Sequence, residues 1–222
     1  MVEGLNISIF TGNFGSGKTE MAINSALKSV KQGKKTVLVD IDIVNPFFRS
    51  AEVKSFLEEK NIEVITPNFA GTNLDIPSLP ASINSVFSME NTNVFFDVGG
   101  DEDGAISLGQ YKRYFDKCDY KMYFVINTKR PFTRDEKDIV KLMKQVELRS
   151  RLNITDLVNN TNLSYETTED IILQGQKIIE KVSDNTNIPI TYVNVKEDIS
   201  INLLKKYKDK LFMMDLFMQP KF

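Results

Sequence analysis

Short apolar runs rich in β-branched and aromatic residues recur along the chain, and each is followed by a polar loop or by a longer segment with helical spacing. The runs are continuous rather than alternating, which is typical of strands that are covered on both faces of a parallel sheet. The pattern therefore predicts an α/β protein with a mostly parallel central sheet of about seven strands flanked by helices. The predicted strands cover residues 5–11, 36–41, 63–65, 93–98, 121–126, 154–158 and 190–195.

The segments between these runs carry apolar residues at helical spacing and are predicted to form helices. Gly33 follows the first helix as a C-terminal stop, and Thr133 with Glu136 forms a capping-box pattern at the start of the fifth. No repeat or change of composition marks a boundary, so we expect a single domain over residues 1–222. The predicted helices cover residues 17–32, 50–60, 78–89, 105–117, 134–151, 167–183 and 199–207, and the long loops cover residues 42–49 and 67–80.

The composition excludes several kinds of catalytic and metal site. The 222 residues include no histidine and one cysteine, which rules out imidazole general bases, histidine-ligated zinc and an intrachain disulfide. With 28 basic and 30 acidic residues the net charge is −2, so a nucleic-acid partner is not expected. The N-terminus lacks a secretory signal, and no apolar run approaches the ~18 residues of a membrane span, which predicts a cytoplasmic protein.

A glycine-rich motif lies between the first predicted strand and the first predicted helix. Its glycines let consecutive backbone amides turn inward around a phosphate group, where the helix N-terminus adds positive potential. Lys18 is expected to reach the β- and γ-phosphates of a nucleotide, and the hydroxyl group of Thr19 to bind Mg²⁺. The residues predicted to bind the nucleotide here are Gly12, Asn13, Phe14, Gly15, Ser16, Gly17, Lys18, Thr19 and Glu20.

Carboxylates follow two other predicted strands. The second strand runs into Asp40 and Asp42, and the fourth runs into Asp97, which is followed by Gly99 and Gly100. Ligands of open α/β sheets bind at the carboxyl ends of the strands, so these carboxylates are expected near a Mg²⁺ ion and the γ-phosphate. The nearest match to a guanine-reading motif, at residues 127–131, lacks the aspartate of that motif, which favours ATP over GTP.

The phosphate loop, the Asp-x-Asp after the next strand and the later Asp-x-Gly-Gly together resemble the CobQ/CobB/MinD/ParA nucleotide-binding superfamily, which belongs to the SIMIBI class of P-loop NTPases. The similarity covers most of the chain. It extends to residues 157–160 and 188–198, which resemble the segments around the base and ribose in that superfamily. The resemblance implies a three-layer P-loop NTPase fold that binds ATP and Mg²⁺.

The resemblance also implies roles for the acidic residues and for the motif itself. Thr19, Asp40 and Asp97 would lie at the Mg²⁺ ion, with Asp97 as the Walker B carboxylate. Lys18 and Asp42 would be catalytic, and Asp42 would polarise the attacking water molecule.

Other residues follow the same resemblance, with one departure. Asn159 and Asn160 would read the adenine base, and Gly99 and Gly100 would form the switch that follows the γ-phosphate. MinD and ParA proteins carry a signature lysine directly after the first motif glycine, where this chain has Asn13, so the departure argues against hydrolysis activated across a face-to-face dimer. An arginine is then a candidate for the charge-stabilising cation, from among Arg49, Arg113, Arg130 and Arg134.

Two segments leave alternatives open. Phe47 and Phe48 in the loop after Asp42 either sense nucleotide, dock a partner, or fill a hydrophobic space beneath the loop. The C-terminal tail, residues 204–218, has apolar residues at helical spacing beside several lysines. It forms either a membrane-surface helix or a terminal element packed on the sheet, and the second interpretation is favoured.

Three functions fit these observations. The leading hypothesis is a Mg²⁺-dependent ATP-binding protein that hydrolyses ATP slowly and uses its switch loops to control a protein partner. The second is an ATP-dependent phosphotransferase or ligase acting on a small molecule, similar to dethiobiotin synthetase. The third is a nucleotide-gated binding module that does not hydrolyse ATP. The identity of the partner and the formation of a homodimer are left open.

Overall fold

A computed structural model describes residues 2–42, 51–66, 81–100, 102–196 and 205–217. The loop residues Phe47, Phe48 and Arg49 lie outside these ranges, as do residues 67–80 and most of the predicted helix at 199–207. The strands among the described residues are β1 (Asn6–Thr11), β2 (Lys35–Asp40), β3 (Ile62–Ile65), β4 (Thr92–Asp97), β5 (Tyr120–Ile126), β6 (Asp156–Asn159), β7 (Ile190–Val195) and β8 (Leu211–Met213).

The eight strands form one sheet in the order β3-β2-β4-β1-β5-β6-β7-β8, and every neighbouring pair is parallel. Helices cover both faces of the sheet, so the chain has the predicted three-layer α/β fold. The helices are α1 (Lys18–Lys31), α2 (Ala51–Glu59), α3 (Ser82–Val86), α4 (Glu102–Gly109), α5 (Lys112–Phe115), α6 (Glu136–Ser150) and α7 (Glu169–Thr186), with a 3₁₀ turn at Ser164–Glu166.

Alternate residues of the central strands enter two separate hydrophobic cores. Ile9 of β1 and Phe124 of β5 belong to the core beneath helices α3 to α7. Phe10 and Val125, their neighbours in sequence, belong to the core beneath α1 and α2. Burying a side chain of this size contributes about 1.5–3 kcal/mol. Because both faces of the sheet are buried, the central strands are apolar at successive positions, which explains the continuous apolar runs in the sequence.

The sheet confirms the predicted fold class and differs in detail. The seven predicted strands are present within two residues of their expected ends, and the prediction missed β8. The predicted helix at 105–117 is two helices, α4 and α5, divided by a turn at Gln110 and Tyr111.

The capping-box prediction for α6 was wrong. Asp135 is the N-cap, and its carboxylate accepts a hydrogen bond from the backbone amide of Asp138 at 3.0 Å. The hydroxyl group of Thr133 instead donates to the carbonyl oxygen of Asn127 at 2.7 Å and closes the loop after β5. Glu136 accepts a hydrogen bond from the side chain of Asn185 on α7.

The helical interpretation of the C-terminal tail was also wrong for residues 211–213, which form the edge strand β8 beside β7. Phe212 and Met214 are buried in the core beneath α1 and α2, so this part of the tail packs on the sheet. In the part of the chain that the structure describes, no helix is both long and apolar enough to span a bilayer.

Candidate functional site

The phosphate loop connects β1 to α1 at the carboxyl edge of the sheet. Gly17 has a left-handed backbone with φ of +91°, and a Cβ atom there would collide with the side-chain amide of Asn160, so only glycine fits. Helix α1 begins at Lys18 without a side-chain cap, which leaves the amide groups of its first turn available to a ligand. A helix N-terminus of this kind binds anions, and phosphate groups above all.

Lys18 is buried within this loop. Its Nζ atom donates to the carbonyl oxygen of Asn13 at 3.0 Å, and the backbone amide of Ser16 donates to the same oxygen at 3.1 Å. The loop therefore curls around the ammonium group and holds it at the position where the helix begins.

Asn13, where the resembled MinD and ParA proteins have a lysine, has a structural role in this loop. Its Oδ1 atom accepts a hydrogen bond from the amide of Phe14 at 2.9 Å, and its Nδ2 atom donates to the carbonyl oxygen of Pro131 at 2.5 Å. The side chain thus shapes the phosphate loop and fastens it to the loop after β5. An amide engaged in this way carries no positive charge to a neighbouring molecule.

The predicted acidic residues come together beside Lys18. Asp40 and Asp97 end the adjacent strands β2 and β4 and are partners in their register, while the backbone amide of Asp42 donates to Oδ1 of Asp40 at 2.9 Å. The side chain of Thr19 lies near the carboxylate of Asp97 and acts to lower its pKa. Strand pairing therefore brings the two carboxylates predicted to bind metal to the same edge as the phosphate loop.

Burial raises the pKa of Asp97 from 3.8 to about 6, because the carboxylate is taken out of water. Lys18 and the side chain of Thr19 act in the opposite direction, and the negative charge of Asp42 adds to the rise. A carboxylate whose charge is incompletely compensated is the kind of group that a cation stabilises.

These residues fit a Mg²⁺ ion that is shared with a nucleotide. Oδ1 of Asp97 is buried and has no hydrogen-bond partner among the described residues. Those residues include no group of three or more carboxylate, cysteine or histidine side chains that could hold a metal by itself. Mg²⁺ in phosphate-binding proteins is held by one or two carboxylates together with phosphate oxygens and water, and Thr19 and Asp97 supply a donor set of that kind.

Gly100 lies directly against the phosphate loop. A Cβ atom at this position would lie 2.7 Å from Nζ of Lys18 and 2.7 Å from the backbone nitrogen of Phe14. A Cβ atom at the preceding Gly99 would lie 3.2 Å from the carboxyl carbon of Asp42. The glycine pair after β4 therefore lets the backbone approach the residues that would surround a terminal phosphate.

The two asparagines after β6 have different surroundings. Asn160 lines the cavity beside the loop, and its Nδ2 atom donates to the carbonyl oxygen of Ser16 at 2.6 Å. Asn159 is fully buried, and its Nδ2 atom donates to Oε1 of Gln176 at 2.9 Å and to the carbonyl oxygen of Ile172 at 3.3 Å. Asn159 is thus bonded to α7 and is not among the residues that line the cavity.

Asn194 on β7 is a cavity residue that the sequence did not single out. Its Nδ2 atom donates to Oδ1 of Asn160 at 3.3 Å, and its own Oδ1 atom is buried without a hydrogen-bond partner among the described residues. Asn194 lies within the segment 188–198 that resembles a base-flanking region, but an isolated asparagine in an apolar strand has no spacing that marks it, so its place beside Asn160 comes from the fold.

Among the described arginine candidates, one lies at the phosphate loop. Nε of Arg130 donates to the carbonyl oxygen of Gly15 at 3.2 Å, and the side chain lines the cavity. Arg113 instead packs over the ring of Tyr114, and Arg134 does not line the cavity.

These elements surround a cavity of about 460 Å³. It extends from the phosphate loop across the carboxyl ends of β6, β7 and β8, and its volume lies in the usual range of small-molecule sites, about 300–1,000 Å³. Glu20 also lines it, but the Glu20 carboxylate accepts the backbone amide of Phe217 at 2.9 and 3.0 Å. The C-terminal residues Met214 and Leu216 line the cavity as well, which sequence reasoning missed.

Comparison with known proteins identifies the fold and leaves the family open. No family model and no curated protein matches the chain. Among solved structures, the cell division protein FtsY of Thermotoga maritima is 18% identical with a TM-score of 0.57, over 87% of this chain and 62% of that one. The signal recognition particle receptor FtsY of Elizabethkingia anophelis is 18% identical with a TM-score of 0.52, over 88% and 59% of the two chains. This chain therefore spans about three fifths of those FtsY chains.

A nucleotide-binding protein of Archaeoglobus fulgidus, solved in complex with ADP, is 16% identical with a TM-score of 0.50, over 91% of this chain and 84% of that one. FtsY belongs to the SIMIBI class of P-loop NTPases. The chain has the P-loop NTPase fold of that class, and its place in the CobQ/CobB/MinD/ParA superfamily stays a prediction.

Proposed function

We propose that this protein of SIMIBI-class fold is a Mg²⁺-dependent ATP-binding protein that hydrolyses ATP slowly and uses the change of nucleotide to control a protein partner. The observation that carries the proposal is the meeting of Lys18, Thr19 and Asp97 at the N-terminus of α1, at the edge of a cavity large enough for a nucleotide. None of these groups requires imidazole or thiolate chemistry.

The residues divide the work of binding and positioning. The amides at the start of α1 and the Lys18 ammonium bind the β- and γ-phosphates, and Thr19 with Asp97 would hold Mg²⁺. Bound Mg²⁺ neutralises the charge that develops on the phosphate oxygens. Asp42 lies on the same side as Asp97 and is the residue proposed to orient the attacking water molecule.

The described base side of the cavity supports adenine. Oδ1 of Asn194 is a buried acceptor without a hydrogen-bond partner among the described residues, so it suits the amino group of a purine base. The carboxylates among the described lining residues are Asp42, on the phosphate side, and Glu20, which bonds the amide of Phe217. Neither carboxylate is placed to accept the paired N1 and N2 donors of a guanine base, which supports ATP over GTP.

Asn13 favours a second candidate, a nucleotide-gated binding module that does not hydrolyse ATP. A lysine at this position would carry positive charge to the phosphates of a partner's nucleotide, and the amide of Asn13 is engaged within its own loop. Arg130 is the charged side chain nearest to that role among the described arginines, because it is bonded to Gly15 of the phosphate loop.

The test is release of ADP from MgATP by the purified protein, first alone, then with a panel of metabolites, and then with extract proteins. We expect slow release that a protein partner accelerates and that Lys18→Ala abolishes. Full turnover in Lys18→Ala would refute the assignment. Binding of MgATP without release under any of these conditions would select the non-hydrolysing module, and dependence on a metabolite would select the phosphotransferase or ligase.

A further inference from the structure

The segment that follows β8, residues 214–217, crosses from the sheet edge to α1 and is fastened there by side chains of that helix. The side-chain amide of Asn24 makes two hydrogen bonds to the backbone of Asp215, donating to its carbonyl oxygen at 2.8 Å and accepting from its amide at 2.9 Å. One helical turn earlier, the Glu20 carboxylate accepts the amide of Phe217. We name residues 214–217 the C-terminal strap.

Both anchoring side chains are buried, so loss of these hydrogen bonds would leave buried polar groups unpaired at a large cost in free energy. Asn24 and Glu20 are each 7% exposed. An asparagine amide that bonds both backbone groups of one residue makes the same pair of hydrogen bonds as a neighbouring β-strand, and it fixes the position of the strap along the helix axis. The ring of Phe217 also packs on Phe56 of α2, with centroids 5.7 Å apart.

The strap forms part of the cavity wall. Met214, which is buried, and Leu216 both line the cavity, and the amide of Met214 donates to the carbonyl oxygen of Val195 at 2.9 Å. Met214 lies beside β7, and Leu216 follows it between two residues that are bonded to α1. Asp40 and Asp97 end strands β2 and β4, on the other side of β1 from β7.

We propose that the C-terminal strap is the wall against which the nucleobase packs, with Met214 and Leu216 as contact residues and Asn24 as the residue that positions them. The inference rests on the proposed function and adds to it a site for the base. A flat heteroaromatic ring suits this surface, since a thioether and a branched aliphatic side chain bind aromatic faces well. The polar edge of the ring would then meet Asn160 and Asn194 of the same cavity.

The position of Glu20 and Asn24 gives this wall a connection to the phosphate site. Both lie on the helix whose N-terminus forms the phosphate loop, and Glu20 directly follows Thr19. The strap is thus held by the same rigid element that binds the phosphates, so the base site and the phosphate site keep a constant separation.

The test compares two ligands that differ in the presence of a base, MgADP and magnesium pyrophosphate, by isothermal titration calorimetry on the full-length chain. Leu216→Ala, through lost apolar contact, and Asn24→Ala, through lost positioning, should each weaken the binding of MgADP about fivefold to tenfold. Neither variant should change the affinity for pyrophosphate by more than about twofold. Met213→Ala is the matched control, because Met213 is exposed, adjoins the strap and does not line the cavity.

The outcomes separate the two proposals. Selective loss of MgADP affinity supports the strap as the base wall. Equal loss for both ligands, or no loss in either variant, overturns it while the phosphate site stands. A wild-type chain that binds neither ligand overturns the proposed function together with the inference. Leu216 is partly exposed, so Leu216→Ala stays an informative variant if Asn24→Ala fails to fold, which circular dichroism would show.

Discussion

The side-chain amide of Asn160 donates to the carbonyl oxygen of Ser16 at 2.6 Å, so the loop after β6 holds the phosphate loop from its base side. The same amide fills the space next to Gly17 that a Cβ atom would otherwise occupy. The two residues are 144 positions apart in sequence. Their loops meet because β1, β5 and β6 are consecutive strands in the middle of the sheet.

Asn160→Ala should therefore weaken the binding of MgATP. Loss of a buried hydrogen bond leaves the Ser16 carbonyl oxygen unpaired and loosens the loop, for an expected loss of affinity of about tenfold. Titration calorimetry measures the change. Asn153→Ala, at an exposed asparagine between α6 and β6, is the control and should bind as the wild type does. Unchanged affinity in Asn160→Ala would show that the hydrogen bond has no part in binding.

Asp97→Asn should stabilise the protein at neutral pH when Mg²⁺ and nucleotide are absent. Because burial raises the pKa of Asp97 from 3.8 to about 6, the folded chain holds a proton between these values that the unfolded chain has lost. The free energy of unfolding attributable to this group falls as pH rises through that window, and the full cost, about 3 kcal/mol, is present above it. Asparagine carries no charge and avoids this cost.

Urea unfolding from pH 4 to pH 8 in the presence of a chelator measures this effect. The stability gain of Asp97→Asn should be largest above pH 6 and should shrink toward pH 4. Asp184→Asn, on the exposed face of α7, should show no such trend. A gain that is independent of pH would contradict the raised pKa. The same variant should lose the contribution of Mg²⁺ to ATP affinity.

Gly100→Ala should strongly impair productive binding of the triphosphate. Its methyl group would lie 2.7 Å from Nζ of Lys18 and from the backbone of Phe14, and the backbone cannot move aside without distorting the phosphate loop. We expect ATP turnover to fall by more than about tenfold, in line with overpacking costs of roughly 1–3 kcal/mol. Gly33→Ala is the control, because alanine would be strained at its φ of +75° but would meet open space at the far end of α1. Comparable turnover in the two variants would contradict the close approach.

Asp135→Ala should destabilise the fold by about 1 kcal/mol, since it removes the N-cap of α6. Glu136→Ala should change stability by less than about 0.5 kcal/mol, because its carboxylate meets only an exposed asparagine of α7 among the hydrogen bonds that the structure describes. Thermal unfolding of the two variants distinguishes them. An equal loss in both would show that Glu136 contributes as much as the N-cap does and would contradict this assignment.

The sequence predicts the fold correctly where the local pattern of apolar residues agrees with the tertiary contacts. The strand that ends at Asp97 is apolar at successive positions because both of its faces are covered, and the loop from Gly12 to Thr19 follows a spacing that phosphate geometry requires. From these two facts the sequence indicates which carboxylates meet Lys18.

The remaining part depends on contacts that spacing does not record. Strand β8 is three residues long and lies at the sheet edge, where Phe212 is held by Tyr192 and Lys28 rather than by its own periodicity. Asn159 and Asn160 are adjacent and chemically identical, yet Asn159 is bonded to α7 and Asn160 to the phosphate loop. The strap residues carry no motif at all.

The bond between Lys18 and the carbonyl oxygen of Asn13 has a thermochemical consequence. The ammonium group already has an oxygen acceptor. An incoming phosphate therefore replaces that acceptor and does not have to order a mobile side chain. Little rotamer entropy is lost in this exchange, and a neutral carbonyl acceptor gives way to a charged phosphate oxygen, which makes the stronger hydrogen bond. Phosphate affinity in this site then arises chiefly from charge and from the release of water, which makes it strongly dependent on ionic strength.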